Sequence, residues 1–391
     1  MHGLDFYQHA DGYDSILATQ GWGFVYPPIW LLLLRLALLA SPGSLATADM
    51  VDSSWRLAMK TPIIAADLAI GLILVWAIPG SKLKRLLFAS LWLFHPTSWY
   101  NSALFGQFDA IAAALLLASL IMFVRGKDRP GFILAGLAVL TKQHAALPAL
   151  FMIAVASRQL SWRRFLADSA ITVAIAVAIS LPFVVGGTLV PYLRAVFLPA
   201  QQPGYQLPLV FAFSGSGAIL TFLHETLDWS TEHYLIYNSP LLAATTVAAL
   251  VICYVKRVRI EQAALIGILL FVGIFDRVNY QYLVIYIPLA IYCLALARSW
   301  LERSLTFALI IVPAAWVWLY DDTFWFRYLA PRVIETPLIL EKLGLNHYVP
   351  DLVYVILAGA LMSLCLAYVV AVLARRKKAS EALEHAVTRV S

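Results

Sequence analysis

About eleven runs of apolar residues, separated by polar turns, limit what this chain can become. They lie at approximately 62–79, 85–99, 103–124, 130–142, 144–157, 165–186, 238–255, 260–275, 279–297, 304–320 and 352–374. One membrane span takes about 20 such residues, and a single soluble core has no use for so many. Of the 391 residues, 62% are hydrophobic and only 13% are charged, roughly half the charged share of a soluble domain. Too few charges remain to cover a surface in water, which excludes a soluble enzyme, a disordered chain and a fibre. The expected fold is an all-α polytopic membrane protein with about 11 transmembrane helices. Two further apolar stretches are interrupted. The stretch 24–41 opens with Tyr26-Pro27-Pro28 and carries Arg35; 205–223 is broken by Pro208 and Ser214-Gly215-Ser216-Gly217. Both read as re-entrant or juxtamembrane helices.

The placement of charge orients the bundle. Lys82, Lys84 and Arg85, then Arg125, Lys127 and Arg129, then Arg158, Arg163 and Arg164 fall on alternate connections. Lys256, Arg257 and Arg259, then Arg298 and Arg303, then Arg375, Arg376, Lys377 and Lys378 continue the series, which holds 18 of the 28 basic residues. That face is expected to be cytoplasmic, so the net charge of +6 records orientation and not nucleic-acid binding. The long connections 1–61, 187–237 and 321–351 belong to the other face, and loops above about 15 residues are commonly functional. The working side is therefore expected to be extracytoplasmic, at the plasma membrane in a prokaryote. The opening Met1-His2-Gly3-Leu4-Asp5 lacks the basic start of a signal peptide. Either a first helix is missing upstream, or 24–41 spans and the N-terminus is cytoplasmic. Cys253, Cys293 and Cys365 lie in apolar runs without a pairing pattern, so no disulfide framework or metal cluster is expected. A P-loop, a dinucleotide fingerprint and an HExxH motif are all lacking, and neither cofactor nor metal is expected.

Several polar clusters interrupt the apolar pattern. Asp5, Asp11 and Asp14 stand among Phe6, Tyr7 and Tyr13. A carboxylate held beside a bilayer under apolar neighbours suits a general base; the alternative is a solvated acidic tail. Asp67 falls inside an apolar run, where it costs at least a few kcal/mol without a partner. It is a site or relay residue, or a buried hydrogen bond clamping two helices. In Asn101-Ser102-Ala103-Leu104-Phe105-Gly106-Gln107-Phe108-Asp109, the amide of Gln107 and the carboxylate of Asp109 suit a sugar; the alternative is helix capping. Lys142-Gln143-His144 leaves almost no room for a solvated loop. A desolvated lysine there wants an anion such as phosphate, or a salt bridge to Asp67 or Asp109. Arg277, in Asp276-Arg277-Val278-Asn279-Tyr280-Gln281-Tyr282, could grip phosphate bidentately or pair with Asp276. Arg194 adds a cation in the 187–237 connection, whose His224 and His233 are too scattered for a metal. Trp99, Trp229, Trp300, Trp316 and Trp318 read as an aromatic belt.

Taken in order, these pieces resemble the GT-C superfamily of polyprenyl-phosphate-sugar-dependent membrane glycosyltransferases. The nearest patterns are those of the dolichyl-phosphate-glucose glucosyltransferases, then of GPI mannosyltransferase I and the bacterial polyprenyl-phosphate-mannose enzymes. Leu4-Asp5-Phe6-Tyr7 with Asp11 looks like the family's first extracytoplasmic loop, whose early Asp is the catalytic base. Trp22-Gly23-Phe24-Val25-Tyr26-Pro27-Pro28 resembles the stretch that leads into a juxtamembrane helix, and Ile64-Ala65-Ala66-Asp67-Leu68 the helix after it. His95-Pro96 with Gly106-Gln107-Phe108 is similar to an Asn-Pro and Gly-His-Phe pair, and Leu140-Thr141-Lys142-Gln143 to a Lys-Gln-Met turn. The likeness covers roughly residues 4–150. It departs in lacking the helix before the acidic loop, and in placing Val278-Asn279-Tyr280 where a late His motif contacts donor phosphate.

The resemblance implies a GT-C-like bundle whose catalytic module is 1–186. A loop with a re-entrant helix at 187–237, C-terminal helices at 238–374 and a basic cytoplasmic tail at 375–391 would follow. It implies transfer of mannose or glucose from a polyprenyl-phosphate donor to a hydroxyl of a lipid-linked glycan or glycolipid, by single displacement with inversion. Asp5 is then the base with Asp11 beside it. Lys142, Arg277 and Arg194 hold donor phosphate; Gln107, Asp109, Gln143 and Tyr26 meet acceptor and sugar; Asp67 and Asn279 support them. The partners are these substrates and membrane lipid. A transporter or flippase of an anionic or lipid-linked substrate is the competing class, and a non-catalytic scaffold is a third.

Overall fold

The computed structural model describes residues 26–40, 53–104, 106–187, 189–197, 216–229, 232–276, 278, 280–319 and 351–375. Among them the architecture is all-helical. In chain order it comprises α1 (Pro28–Ala40), α2 (Ser53–Ala77), α3 (Lys82–Leu93), α4 (Asp109–Val124), α5 (Asp128–Thr141), α6 (Ala146–Ser157) and α7 (Trp162–Gly186). Then come α8 (Leu189–Phe197), α9 (Ser216–Leu227), α10 (Glu232–Val255), α11 (Ile260–Ile274), α12 (Leu283–Ala295), α13 (Trp300–Leu319) and α14 (Asp351–Leu373). A short helix Pro96–Trp99 and a π-helical turn Tyr100–Leu104 precede α4, and 3-10 turns Gln143–Ala145 and Tyr280–Tyr282 precede α6 and α12.

Every expected apolar run coincides with a helix, but length separates them. Among the described residues, four helices are long and apolar enough to cross a membrane: Arg56–Ala77, Trp162–Gly186, Tyr237–Val255 and Val355–Leu373. Pro28–Ala40, Asp109–Val124, Gln143–Ser157, Ile260–Ile274 and Leu283–Ala295 are apolar and shorter. Helix length alone therefore does not carry the expected count of about 11. The 15 residues of α11 reach only about 22 Å at 1.5 Å per residue, short of the roughly 30 Å hydrocarbon layer. Two of these short helices, α11 and α12, are inner ones. On α11 every residue from Glu261 to Ile274 is buried, and on α12 every residue from Leu283 to Cys293. A helix apolar all round belongs inside a bundle, where protein and not lipid surrounds the non-helical turns at its ends. Among the interrupted stretches, 28–40 is α1, packed on α2, α5 and α7. Residues 205–215 lie outside the described residues, and the helix that follows them, α9, packs on α14.

One core runs from Trp30 to Val372, and small residues set its spacing. Ala110, Ala112 and Ala113 are fully buried on α4. Gly267 on α11 abuts α6 so closely that a Cβ there would stand 2.8 Å from the Leu147 carbonyl oxygen. Close helix approach through small side chains is how packing holds helices together without a hydrophobic drive between them. The outer surface is apolar as well: Val173, Val177, Leu181 and Val185, one turn apart along α7, are all at least half exposed.

Cations close one end of the bundle, chiefly by capping helices. Arg125 Nη2 donates to the Trp76 carbonyl near the end of α2 (3.4 Å) and lies over the Trp76 ring. Arg158 donates to Tyr254 and Val258 where α10 ends (3.0 and 3.1 Å). Lys84 and Arg259 serve Ala295 and Leu296 after α12 (3.3 and 3.1 Å), and Lys256 the Leu373 carbonyl of α14 (2.6 Å). These are the carbonyls a helix leaves without intrahelical donors, at its negative end. Buried Glu302 gathers Arg259, Gln262 (2.8 Å) and Arg375 (2.9 Å), tying α11, α13 and α14 together. Asp168 does the same for α5 and α7 through Arg129 (2.9 Å).

Pro313 shapes the middle of α13. It has no N–H for the Leu309 carbonyl, and the buried Tyr286 hydroxyl of α12 donates there instead (2.9 Å). One residue on, the Ile310 carbonyl accepts from His95 Nε2 (2.9 Å). His95 Nδ1 accepts from the Thr97 backbone N–H (3.2 Å) as N-cap of the short helix, so this histidine is the neutral Nε2–H tautomer. His95-Pro96 is thus a docking point between helices.

The Gly267 contact yields the first prediction. Gly267→Ala drives a methyl into backbone and is expected to cost about 1–3 kcal/mol, read as a lower thermal unfolding midpoint in detergent. Gly359→Ala, whose Cβ would meet only Ile219 at 3.9 Å, should leave the midpoint unchanged. Equal midpoints for both variants would contradict the close α6–α11 approach.

Candidate functional site

At the end of the bundle opposite the cationic caps, two interruptions of the helical pattern face one another. Gly106 adopts φ +71°, a left-handed conformation that costs glycine little, and the chain turns there from the π-helical segment into α4. Gly106 and Gln107 N–H groups close this turn on Ser102 and Asn101 (3.2 and 2.8 Å). The turn sets Phe108 as N-cap and Asp109 as the first residue of α4, with no side-chain cap bond from Phe108. Opposite, α5 stops at Thr141 because Lys142 is extended (φ −150°, ψ 127°). The 3-10 turn Gln143–Ala145 then leads into α6. The extended step throws Lys142 and His144 to the same side.

They meet Asp109. Lys142 Nζ donates to Asp109 Oδ2 at 2.9 Å, and His144 Nε2 lies 3.3 Å from Asp109 Oδ1. The side chains of Asp109 and Lys142 are 0% and 1% exposed, so the pair has left water almost completely. Both carboxylate oxygens are engaged, and of the two partners the sequence offered Lys142, the structure has Asp109. Asp109 spends its side chain on this pair, not on capping α4.

Aromatic rings enclose the ammonium. Its nitrogen is 4.2 Å from the Phe108 ring centroid, 4.4 Å from Tyr26 and 5.9 Å from Tyr282, within the range where ring faces attract a cation. Trp30 of α1 stacks on Phe108 at 4.3 Å, and Tyr26 meets it edge-on at 4.8 Å. His144 lies against Tyr282 at 4.1 Å and stacks with Phe271 at 5.6 Å. Burial of the Tyr26 hydroxyl and the Asp109 charge push that phenol up to about 12, while a hydrogen bond from buried Gln281 works the other way. The Tyr282 side of the box is fixed from α10. Buried Asn238 donates to the Ile274 carbonyl (2.6 Å) and accepts from Asp276 N–H (3.1 Å), holding the turn between α11 and α12.

Of the residues expected at a site, Lys142, Asp109, Tyr26 and Gln143 converge on this end, with Gln107 two positions before Asp109 and partly exposed. Asp67 forms its own contact on α2, accepting from Ser98 Oγ at 3.2 Å, while its carbonyl accepts from Trp92 Nε1 at 3.1 Å. Asp5, Asp11, Arg277 and Asn279 lie outside the described residues, as do most of the 1–61 and 321–351 connections. Arg194 is placed by its backbone, on α8. Among the described residues, no group of three or more His, Cys, Asp or Glu is placed to hold a metal ion. Sequence reasoning gave no role to His144, Gln281, Tyr282, Phe108 or Trp30. The signal for His144 was its spacing of two from Lys142 in a turn too short to be solvated; nothing local marks Trp30.

An all-helical bundle with apolar outer faces and an ion pair enclosed in aromatics at one end defines a membrane protein with a buried polar site. Residues 24–275 match the glycosyltransferase family 87 profile, and the chain belongs to that family. It is a membrane glycosyltransferase, consistent with the GT-C type, which separates it from the transporter reading. No curated protein matches it. The matched residues contain Tyr26, Asp109, Lys142 and His144, and begin after Asp5 and Asp11.

The pair makes a second prediction. Asp109→Leu or Lys142→Leu alone strands one buried polar partner and should cost about 3–5 kcal/mol, whereas the two together should recover much of it. Thermal unfolding of the four proteins in detergent measures this. Strictly additive losses in the double variant would show that the two groups do not interact.

Proposed function

We propose that this glycosyltransferase moves a hexose, mannose or glucose, from a polyprenyl-phosphate donor to a hydroxyl of a lipid-linked glycan or glycolipid. The observation that carries the reading is the Asp109–Lys142–His144 group beneath Tyr26, Phe108 and Tyr282, at the end of the bundle away from the cationic caps. Aromatic faces suit the C–H face of a sugar, and an ammonium held beside them suits a phosphate that shares it with the carboxylate. In this reading the bundle spans about 11 times, the basic end is cytoplasmic and the site is extracytoplasmic.

The reaction is a single displacement. The acceptor oxygen attacks the anomeric carbon and its proton passes to the Asp5 carboxylate. The new glycosidic bond forms as the bond from the anomeric carbon to phosphate oxygen breaks, and the electron pair leaves with polyprenyl phosphate. Configuration inverts. Asp11 orients the acceptor; Lys142, Arg277 and Arg194 receive the charge that grows on phosphate. Gln107, Gln143 and Tyr26 line acceptor and sugar, Asp109 fixes Lys142 and His144, and Asp67 and Asn279 support the loops above.

The test is sugar transfer from polyprenyl-phosphate mannose and from the glucose analogue into a membrane lipid extract, with and without EDTA. Transfer from one donor, resistant to EDTA and lowered at least about a hundredfold by Asp5→Asn, is the expected result. Retention of the donor's anomeric configuration in the product, or full activity of Asp5→Asn, would overturn the mechanism. No transfer from either donor by folded protein would overturn the donor class.

A further inference from the structure

The cationic end holds a second polar feature that the proposed reaction does not use. A cavity of about 490 Å³ opens between α3, the end of α12 and the start of α13, lined by Lys84, Phe88, Leu294, Arg303, Ser304 and Phe307 with Ala295 and Ala297. Two helices supply it in the same pattern. On α3 a cation at 84 stands one turn above a phenylalanine at 88; on α13 a cation at 303 stands one turn above a phenylalanine at 307. Residues four apart share a helix face, so each wall carries charge at the mouth and a ring below it.

The charges are not neutralised in place. Lys84 Nζ reaches only the Ala295 carbonyl (3.3 Å) and lies 5.9 Å from the Phe88 ring centroid. No ion pair joins Arg303 to a described carboxylate, and no carboxylate lines the cavity. The nearest in sequence, Glu302, is buried and held by Arg259, Gln262 and Arg375. Two helices also begin here: Ser81 caps α3 by accepting from Lys84 N–H (3.3 Å), and Ser299 accepts from Glu302 N–H (3.2 Å) at the start of α13. Both positive helix ends add to the field of the two side chains. Below the mouth the lining is apolar, with Phe88, Leu294 and half-exposed Phe307.

We infer that this cavity is a binding site for an anionic phospholipid, its phosphate between Lys84 and Arg303 and an acyl chain along Phe88, Leu294 and Phe307. Phosphate alone would leave the rings without a partner, and a zwitterionic lipid brings its own cation to a mouth already carrying two. Basic pockets between helices at a membrane surface favour anionic headgroups for this reason. The site is separate from the aromatic box, since it closes the other end of α12.

Full-length protein exchanged into bilayers of equal phosphatidylglycerol and phosphatidylcholine, then released into native mass spectrometry, tests the assignment. One retained phosphatidylglycerol per chain is expected, and Lys84→Gln with Arg303→Gln should weaken its retention about thirtyfold, from two lost cationic contacts. The single reversal Arg303→Glu, at an exposed side chain, should act in the same direction should the double variant fail to fold. Lys82→Gln with Lys127→Gln removes as much charge from the same end outside the cavity and should leave retention intact. Equal loss in that control, unchanged retention without Lys84 and Arg303, or equal retention of phosphatidylcholine would overturn the site. Displacement of the lipid by inorganic phosphate alone would overturn the lipid in favour of a simple anion.

Discussion

A backbone carbonyl without a donor costs several kcal/mol away from water, and the bundle is organised around that constraint. Every helix that ends inside apolar surroundings exposes its last carbonyls, so a neighbour must bring donors to them. Lysines and arginines of alternate connections do this work locally. Arg125, Arg158, Lys256 and Arg259 each reach the end of a helix other than their own. The same rule explains Tyr286 and His95, which serve carbonyls of α13 around Pro313. It also explains Asn238 at the end of α11. The caps serve the long helices α2, α10 and α14 as well as α12, while α11 and α12 are enclosed by the bundle itself.

The buried Asp109–Lys142 pair is a different solution to a harsher form of the problem. Desolvating two charges costs more than a hydrophobic pair of the same size, so such a pair adds little to stability overall, although losing one member is costly. Its value lies in position. Because neither group tolerates separation, α4 and the α5–α6 turn are fixed to within a hydrogen bond. His144 and the rings of Tyr26, Phe108 and Tyr282 are then fixed with them. The group is thereby held in place before any substrate arrives.

The helices were legible in the sequence because apolar runs and polar turns are local signals. Lys142-Gln143-His144 marked the stop after α5. Helix length was less legible: residues that read as one span, such as 85–99, divide at His95 because the residue before a proline avoids the helical conformation. The site was half legible. Lys142 and Asp109 declared themselves as charges in apolar surroundings, and Asp109 was one of two partners the sequence proposed. Which of the two could not be read, since it depends on how α4 lies against α5. Trp30 and Tyr282 were invisible for the same reason: an aromatic residue carries no mark that its ring will stack on Phe108, as Trp30 does, or lie near an ammonium 140 residues away in the chain, as Tyr282 does.

The two ends use the same side-chain chemistry to opposite effect. At one end Lys142 is sealed against a carboxylate and rings. At the other, Arg259 is paired with Glu302, while Lys84, bonded only to a carbonyl, and Arg303 keep their charge at an open mouth. An ammonium bonded to a carbonyl remains a full cation, because a carbonyl offers a dipole and no counter-charge, whereas one bonded to a carboxylate is neutralised as a pair. A membrane protein that caps its helices with cations therefore leaves one face positive by construction. Where two such cations stand over apolar walls, as at Lys84–Phe88 and Arg303–Phe307, that residual charge is met most fully by a ligand that is itself both anionic and apolar.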